Sequence, residues 1–97
     1  MIQEHGNVYD AMLYGPVKRA ALLAVIGNNV CLYVRTIQRG KVRMHQVREY
    51  LDKRYITYES SERTIRFPRT GGSLRFAVLE PEMRGFAPDC IFLDNLR

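Results

Sequence analysis

Apolar and polar positions follow two different periods along this chain, and the changes of period divide it into helices and strands. Residues 17–26 form a nearly continuous apolar segment rich in alanine and leucine. Pro16 suits the first position of a helix, and Gly27 is placed to end it, so this segment predicts a helix. Residues 30–34 are apolar and rich in strand-forming types, which predicts a buried strand.

A second helix is predicted over residues 40–54, where the apolar positions take the spacing of an amphipathic surface helix. Val42, Val47, Tyr50 and Leu51 mark its apolar face. A solvated helix face without a ligand is one interpretation of the opposite face, and a phosphate-binding surface is the other. That face carries the densest group of cations in the sequence, namely Lys41, Arg43, Arg48, Lys53 and Arg54.

Two alternating segments, residues 64–67 and 73–78, are joined across a turn that contains Gly71 and Gly72. Glycine supplies positive φ angles without strain, so the pattern predicts a β-hairpin. Its apolar residues share one face. Three arginines lie on the opposite face or in the turn, and they extend the predicted phosphate-binding set: Arg66, Arg69 and Arg75.

The last apolar segment, residues 90–93, leads directly into Asp94. A short apolar run bounded by turn residues predicts a strand buried on both faces, and we expect it to be the central strand of the sheet. Open α/β sheets bind ligands outside the carboxyl ends of such strands, which is where Asp94 would lie.

Two shorter segments leave their structure open. Residues 8–14 are compatible with a strand or a helical turn, and residues 55–58 with one further strand. Together the elements predict one α/β domain over residues 1–97, with a small sheet of parallel core strands plus a β-hairpin, and two helices.

Composition narrows the class of protein. The net charge of +5 and the sequence pI near 9.6 favour nucleic acid as a partner, although many arginines alone would give the same values. No apolar run is long enough to span a bilayer and the first residues do not form a signal peptide, so we expect a cytoplasmic protein without a membrane partner.

Cys31 and Cys90 lie in apolar runs and predict buried thiols, and with His5 and His45 they form no metal-ligand spacing. We therefore expect no metal and no cofactor.

The order of these elements resembles the first half of the ATPase domain of phage terminase large subunits and the related RecA- and helicase-type motors, from about residue 17 onward. Four short motifs carry the resemblance: Arg35-Thr36 after a strand, Gly71-Gly72-Ser73 in a hairpin, Arg84-Gly85, and the Walker-B-like segment of residues 90–94. The resemblance implies a P-loop-NTPase-like sheet.

The departures from that family concern its chemistry. The chain has no Gly-Lys-Ser/Thr phosphate loop, and Gly15-Pro16 stands before the first helix instead. Asn95 follows Asp94 where the family has its catalytic carboxylate, and an amide cannot act as a general base. A later strand of the family's sheet has no counterpart before Arg97. We therefore expect an incomplete P-loop-NTPase-like fold that is not an enzyme and has an open sheet edge.

Two functions are compatible with these observations. The first is a non-catalytic, phage-type accessory protein that binds nucleic acid non-specifically through phosphates, using the eight basic residues named above. The alternative is a protein-interaction module or inhibitor that docks on a larger replication, packaging or host enzyme. In both cases, the open sheet edge would be covered by a second copy or by a protein partner.

Overall fold

The computed structural model describes residues 15–78 and 88–94, which form two helices and a five-stranded mixed sheet. The predictions for residues 8–14, for Arg84-Gly85 and for Asn95 lie outside the described residues. The elements are α1 (Gly15–Val25), β1 (Asn29–Val34), α2 (Ile37–Lys53), β2 (Glu59–Ser60), β3 (Thr64–Phe67), β4 (Gly72–Val78) and β5 (Cys90–Leu93).

The strands lie in the order β2-β3-β4-β1-β5. β1 is parallel to both β4 and β5, whereas β3 pairs antiparallel with β2 and with β4. The parallel core strands, the hairpin and the two helices are therefore confirmed. Residues 55–58 are not a strand, and after α2 the chain returns to the sheet only at Glu59.

The position predicted for β5 is wrong. β1 is the middle strand of the parallel core, and β5 lies at the end of the described sheet with β1 as its neighbour. Cys90 and Phe92 pack against the core, but Ile91 is 57% exposed and Leu93 is 52% exposed. An apolar run indicates that both sides of a strand could be buried, but it does not show whether further protein covers both of them.

α1 packs against the sheet through small residues. Val17, Ala20, Ala21 and Ala24 are all fully buried, and their spacing of three and four residues places them on one side of the helix. Gly27 has a φ of 117°, and its N–H donates to the carbonyl of Ala24, as predicted for a glycine that ends a helix.

α2 begins three residues earlier than predicted because Thr36 caps it. The hydroxyl of Thr36 accepts a hydrogen bond of 3.0 Å from the N–H of Arg39, which satisfies one of the unpaired donors of the first turn. Its apolar face consists of Met44, Val47, Tyr50 and Leu51 together with Gly40. The sequence pattern predicts Val42 on that face, but this residue is 47% exposed.

The two glycines of the hairpin turn are required for different reasons. Gly71 has a φ of 82°, which side-chain-bearing residues rarely adopt. Gly72 instead allows close packing, because a Cβ at this position would lie 1.8 Å from the carbonyl oxygen of Ala24 in α1. The hairpin and the first helix are therefore in direct backbone contact.

Both helices contribute to the same core as Val30 and Leu32 of β1, Leu74 and Phe76 of β4, and Ile65 of β3. We call this side of the sheet the helix-covered face. Strand residues that alternate with these belong to the opposite side, called the second face below, where neither described helix packs. The strand residues on the second face are Asn29, Cys31, Tyr33, Glu59, Thr64, Arg66, Ser73, Arg75, Ala77, Ile91 and Leu93.

Candidate nucleic-acid interface

Arg43 does not lie on the exposed face of α2, so the exposed position predicted for its side chain is wrong. It is 8% exposed, its Nε donates to Asp94 Oδ2 at 3.0 Å, and its Nη1 donates to Gln46 Oε1 at 3.0 Å. Asp94 is distant in sequence, and its placement beside α2 depends on the pairing of β5 with β1. The helical pattern therefore did not reveal that Arg43 turns inward.

Asp94 follows β5 at its carboxyl end, as predicted, and its side chain is fully buried. Its N–H donates to the carbonyl of Tyr33 at 2.8 Å. One carboxylate oxygen, Oδ2, accepts from Arg43 and lies 3.4 Å from Arg39 Nε, whereas Oδ1 is buried and accepts no hydrogen bond from residues 15–78 and 88–94. Two guanidinium groups thus neutralise this acid and attach the end of the sheet to α2.

The remaining cations of α2 share their surface with acids. Lys41 and Lys53 are exposed and Arg48 is half-buried. His45 Nε2 lies 3.3 Å from Glu49 Oε1 on the same helix. The predicted basic face is therefore a mixed face, which lowers its attraction for phosphate.

Arg54 holds the end of α2 in place. Its guanidinium carbon lies 3.7 Å from the centre of the Tyr50 ring, and Lys18 Nζ lies 5.8 Å from the same ring. Tyr50 is 4% exposed, so these cation–π contacts cover an aromatic ring that belongs to the core. Arg54 is thus engaged in packing of the helix end.

The arginines of the hairpin are more accessible. Arg66 and Arg75 are exposed on the second face, and Arg69 is exposed in the turn. The β3–β4 register places Arg66 opposite Ser73 and Arg75 opposite Thr64. The two arginines are therefore diagonal neighbours. The Cα atoms of diagonal neighbours in an antiparallel pair generally lie about 7–8 Å apart.

These two arginines line a groove of about 380 Å³ on the second face. Ser73 Oγ donates to Asn29 Oδ1 at 2.9 Å within it. One acid, Glu59, faces Arg66 across the β2–β3 register. The lining also includes Thr64, Phe67, Pro68, Gly71 and Gly72.

Cys31 and Tyr33 form a small buried cluster with Ala77 on the same face. Burial raises the pKa of the Cys31 thiol, although its hydrogen bond with Tyr33 and the charge of Arg75 act in the opposite direction. Burial likewise raises the pKa of Tyr33. Both groups are therefore uncharged at neutral pH and do not offset the charge of Arg75.

The structure separates the eight predicted residues into two groups. The α2 cations lie on the helix side of the sheet, whereas Arg66 and Arg75 lie on the second face, so the set does not form one surface. The sequence pattern did not predict a role for Arg39 or Arg63. Thr36 is an N-cap residue type, and its position three residues before Arg39 could have placed Arg39 in the first turn of α2.

No family model matches this chain, and neither a curated protein nor a solved structure matches it. The likeness to terminase-type motors remains a prediction. Over residues 15–78 and 88–94, neither helix has the length and apolar character that a membrane crossing requires.

Proposed function

We propose that this protein is a non-catalytic nucleic-acid-binding protein that contacts phosphates through the second face of its hairpin. One observation carries the proposal, namely that Arg66 and Arg75 are exposed on adjacent strands and line the same polar groove. Arginine presents a planar fork of donors that matches phosphate oxygens. Two such forks on neighbouring strands would hold one nucleic-acid backbone.

The other side chains of the groove suit backbone contacts. The Thr64 hydroxyl and the Asn29 side-chain amide can donate to phosphate and sugar oxygens, which fix position without reading sequence, while the Ser73 hydroxyl donates to Asn29 Oδ1. Glu59 repels phosphate and limits how far the backbone extends toward β2. The proposed binding is therefore non-specific and salt-sensitive.

The state of Asp94 supports a role without catalysis. In the motors that this chain resembles, the corresponding acid serves nucleotide chemistry, whereas here two arginines occupy its Oδ2 atom. We propose that the protein derives from a phage-type packaging motor and retains the parallel strands β4, β1 and β5 without the reaction. The Asp94 carboxylate is paired with Arg39 and Arg43 of α2 in the same chain.

The test compares two double variants that each remove two exposed positive charges. Arg66→Gln/Arg75→Gln changes the second face, and Lys41→Gln/Lys53→Gln changes α2. Fluorescence anisotropy with single-stranded DNA, duplex DNA and RNA would measure binding at low salt. We expect the first variant to lose about tenfold or more in affinity, from two charge-assisted hydrogen bonds, and the second less than about threefold. Equal losses, or no binding by the unaltered protein, would contradict the proposal.

A second candidate function rests on the sheet edge at β5. This strand has four uncharged apolar residues, two of them more than half exposed, and it pairs with β1 among the described strands. The opposite edge, β2, is only two residues long and carries Glu59, which discourages strand addition. Strand pairing by a second copy would cover the β5 edge.

Light scattering at micromolar concentration tests this second candidate. We expect a dimer for the unaltered chain and a monomer for Ile91→Lys, because a lysine on an edge strand opposes pairing. A monomer in both cases would exclude self-association through β5 in that concentration range, and it would leave the nucleic-acid proposal untouched.

A further inference from the structure

A small pocket opens on the helix-covered side of the sheet, away from the groove on the second face. It lies between the first half of α2 and the carboxyl ends of β1 and β4, with a volume of about 100 Å³. Val34, Met44, Phe76 and Val78 form its apolar walls, and Gly40 lies at its base. Open α/β sheets commonly bind ligands at this end of their strands.

Two cations stand at the rim of this pocket. Lys41 of α2 and Arg63 before β3 are both exposed, and neither forms an ion pair with a described residue. One acid, Glu62, is the only opposing charge in the lining described. The rim is therefore positive while the interior is apolar.

The size of the pocket limits what can enter. A cavity of about 150 Å³ accommodates benzene, so about 100 Å³ suits a branched aliphatic group better than a ring. α2 approaches β1 closely at Gly40, because a Cβ there would lie 3.2 Å from Val34 Cγ2. Ile37 is 53% exposed at the mouth and extends the apolar contact outward.

We propose that this pocket binds a branched aliphatic group that carries a carboxylate, with the aliphatic part inside and the carboxylate between Lys41 and Arg63. A neutral aliphatic group would leave the cations of the rim unused. A nucleotide or sugar phosphate would place a polar ring where the walls are apolar. A free short-chain acid and the C-terminal residue of a peptide share the proposed chemistry.

This site is independent of the proposed nucleic-acid groove. None of its lining residues lies in that groove, and the sheet separates the two. A protein that fails to bind nucleic acid can still bind the carboxylate, so the two proposals fail separately.

Methyl-labelled protein titrated with small probes provides the test. The probes are 4-methylpentanoate, its neutral analogue 4-methylpentanamide, and N-acetyl-leucine as a mimic of a peptide C-terminus. We expect saturable shifts of the methyl signals of Met44, Val34 and Val78, and at least about threefold tighter binding of 4-methylpentanoate than of the amide, as for a partly exposed ion pair. Tighter binding of N-acetyl-leucine than of 4-methylpentanoate would identify a peptide terminus, and the reverse order a free acid.

Two matched lysine variants locate the charge. Lys41→Gln should reduce the preference for the carboxylate over the amide without abolishing the methyl shifts, whereas Lys53→Gln, on the same helix but away from the pocket, should retain the full preference. Absence of saturable methyl shifts up to about 20 mM of all three probes would overturn the proposal. Equal binding of acid and amide by the unaltered protein would also overturn it.

Discussion

The two faces of the sheet in this protein differ in what their side chains do. The helix-covered face is apolar apart from the buried Arg43–Asp94 ion pair, and it holds nearly all of the fully buried side chains. The second face changes along the sheet, from arginines on the hairpin to a small buried cluster on β1 and exposed aliphatic residues on β5. The comparison indicates that folding energy comes mainly from one face, while the arginines of the proposed nucleic-acid groove lie on the other.

The largest expected effect concerns the helix-covered face. Gly72→Ala places a Cβ within 1.8 Å of the Ala24 carbonyl oxygen, so α1 and β4 must separate. We expect a loss of about 4 kcal/mol in the free energy of unfolding, which urea denaturation would measure. Gly71→Ala is the control, because it has no close neighbour and strains only the backbone, for a loss of about 1 kcal/mol. Equal losses in the two variants would argue against the tight helix–strand contact.

Next in size is the ion pair between β5 and α2. Asp94→Asn removes the charge that compensates the buried Arg43, and we expect a loss of about 3 kcal/mol in unfolding free energy. Because the two residues are in contact, Arg43→Met/Asp94→Asn should cost less than the sum of the single variants. Additive losses in this double-mutant cycle would contradict the pairing.

Alkaline pH should weaken the fold through a buried thiol and two tyrosine hydroxyls, of which Cys31 and Tyr33 lie on the second face. The folded-state pKa values of Cys31, Tyr33 and Tyr58 are raised, in each case mainly by burial. Above about pH 8.5 the unfolded chain therefore binds fewer protons than the folded chain, and stability falls with rising pH. Thermal unfolding should show a constant midpoint from pH 7 to about pH 8.5 and a decline above it. Cys31→Ala should make the onset of this decline less steep, whereas an unchanged pH profile would contradict burial of an ionisable thiol.

The smallest expected effect lies at the exposed end of the second face. Ile91 is 57% exposed, so Ile91→Lys should change the unfolding free energy of the monomer by less than about 0.5 kcal/mol. Leu32→Lys on the neighbouring strand gives the contrast, since Leu32 is fully buried and its replacement should prevent folding. A large loss for Ile91→Lys would show that β5 is covered on both faces.

Much of the fold was predictable because its signals are local. Three features depend on residues near in sequence, and all three were confirmed. They are the end of α1 before Gly27, the hairpin turn at Gly71 and the apolar–polar alternation around Ile65. The start of α2 was missed because hydrophobic periodicity does not register a cap, although Thr36 was visible in the sequence.

The candidate site was less predictable because it depends on contacts between distant segments. The inward position of Arg43 requires Asp94, and the close approach at Gly72 requires Ala24. The sequence also could not show that Arg66 and the α2 cations lie on opposite sides of the sheet. The positions of cations in a sequence show where charge is concentrated along the chain. The side of the sheet on which each cation lies follows only from how the strands and helices pack.

The salt dependence of nucleic-acid binding offers the strongest test of the proposed phosphate contacts of Arg66 and Arg75. The slope of log K against log salt concentration would be measured for the unaltered protein and for Arg66→Gln/Arg75→Gln. Loss of two phosphate contacts should reduce the magnitude of the slope by about 1.4 on single strands to about 1.8 on duplex DNA. We predict this reduction for the hairpin variant and an unchanged slope for Lys41→Gln/Lys53→Gln. The same slope in the unaltered protein and the hairpin variant would contradict it.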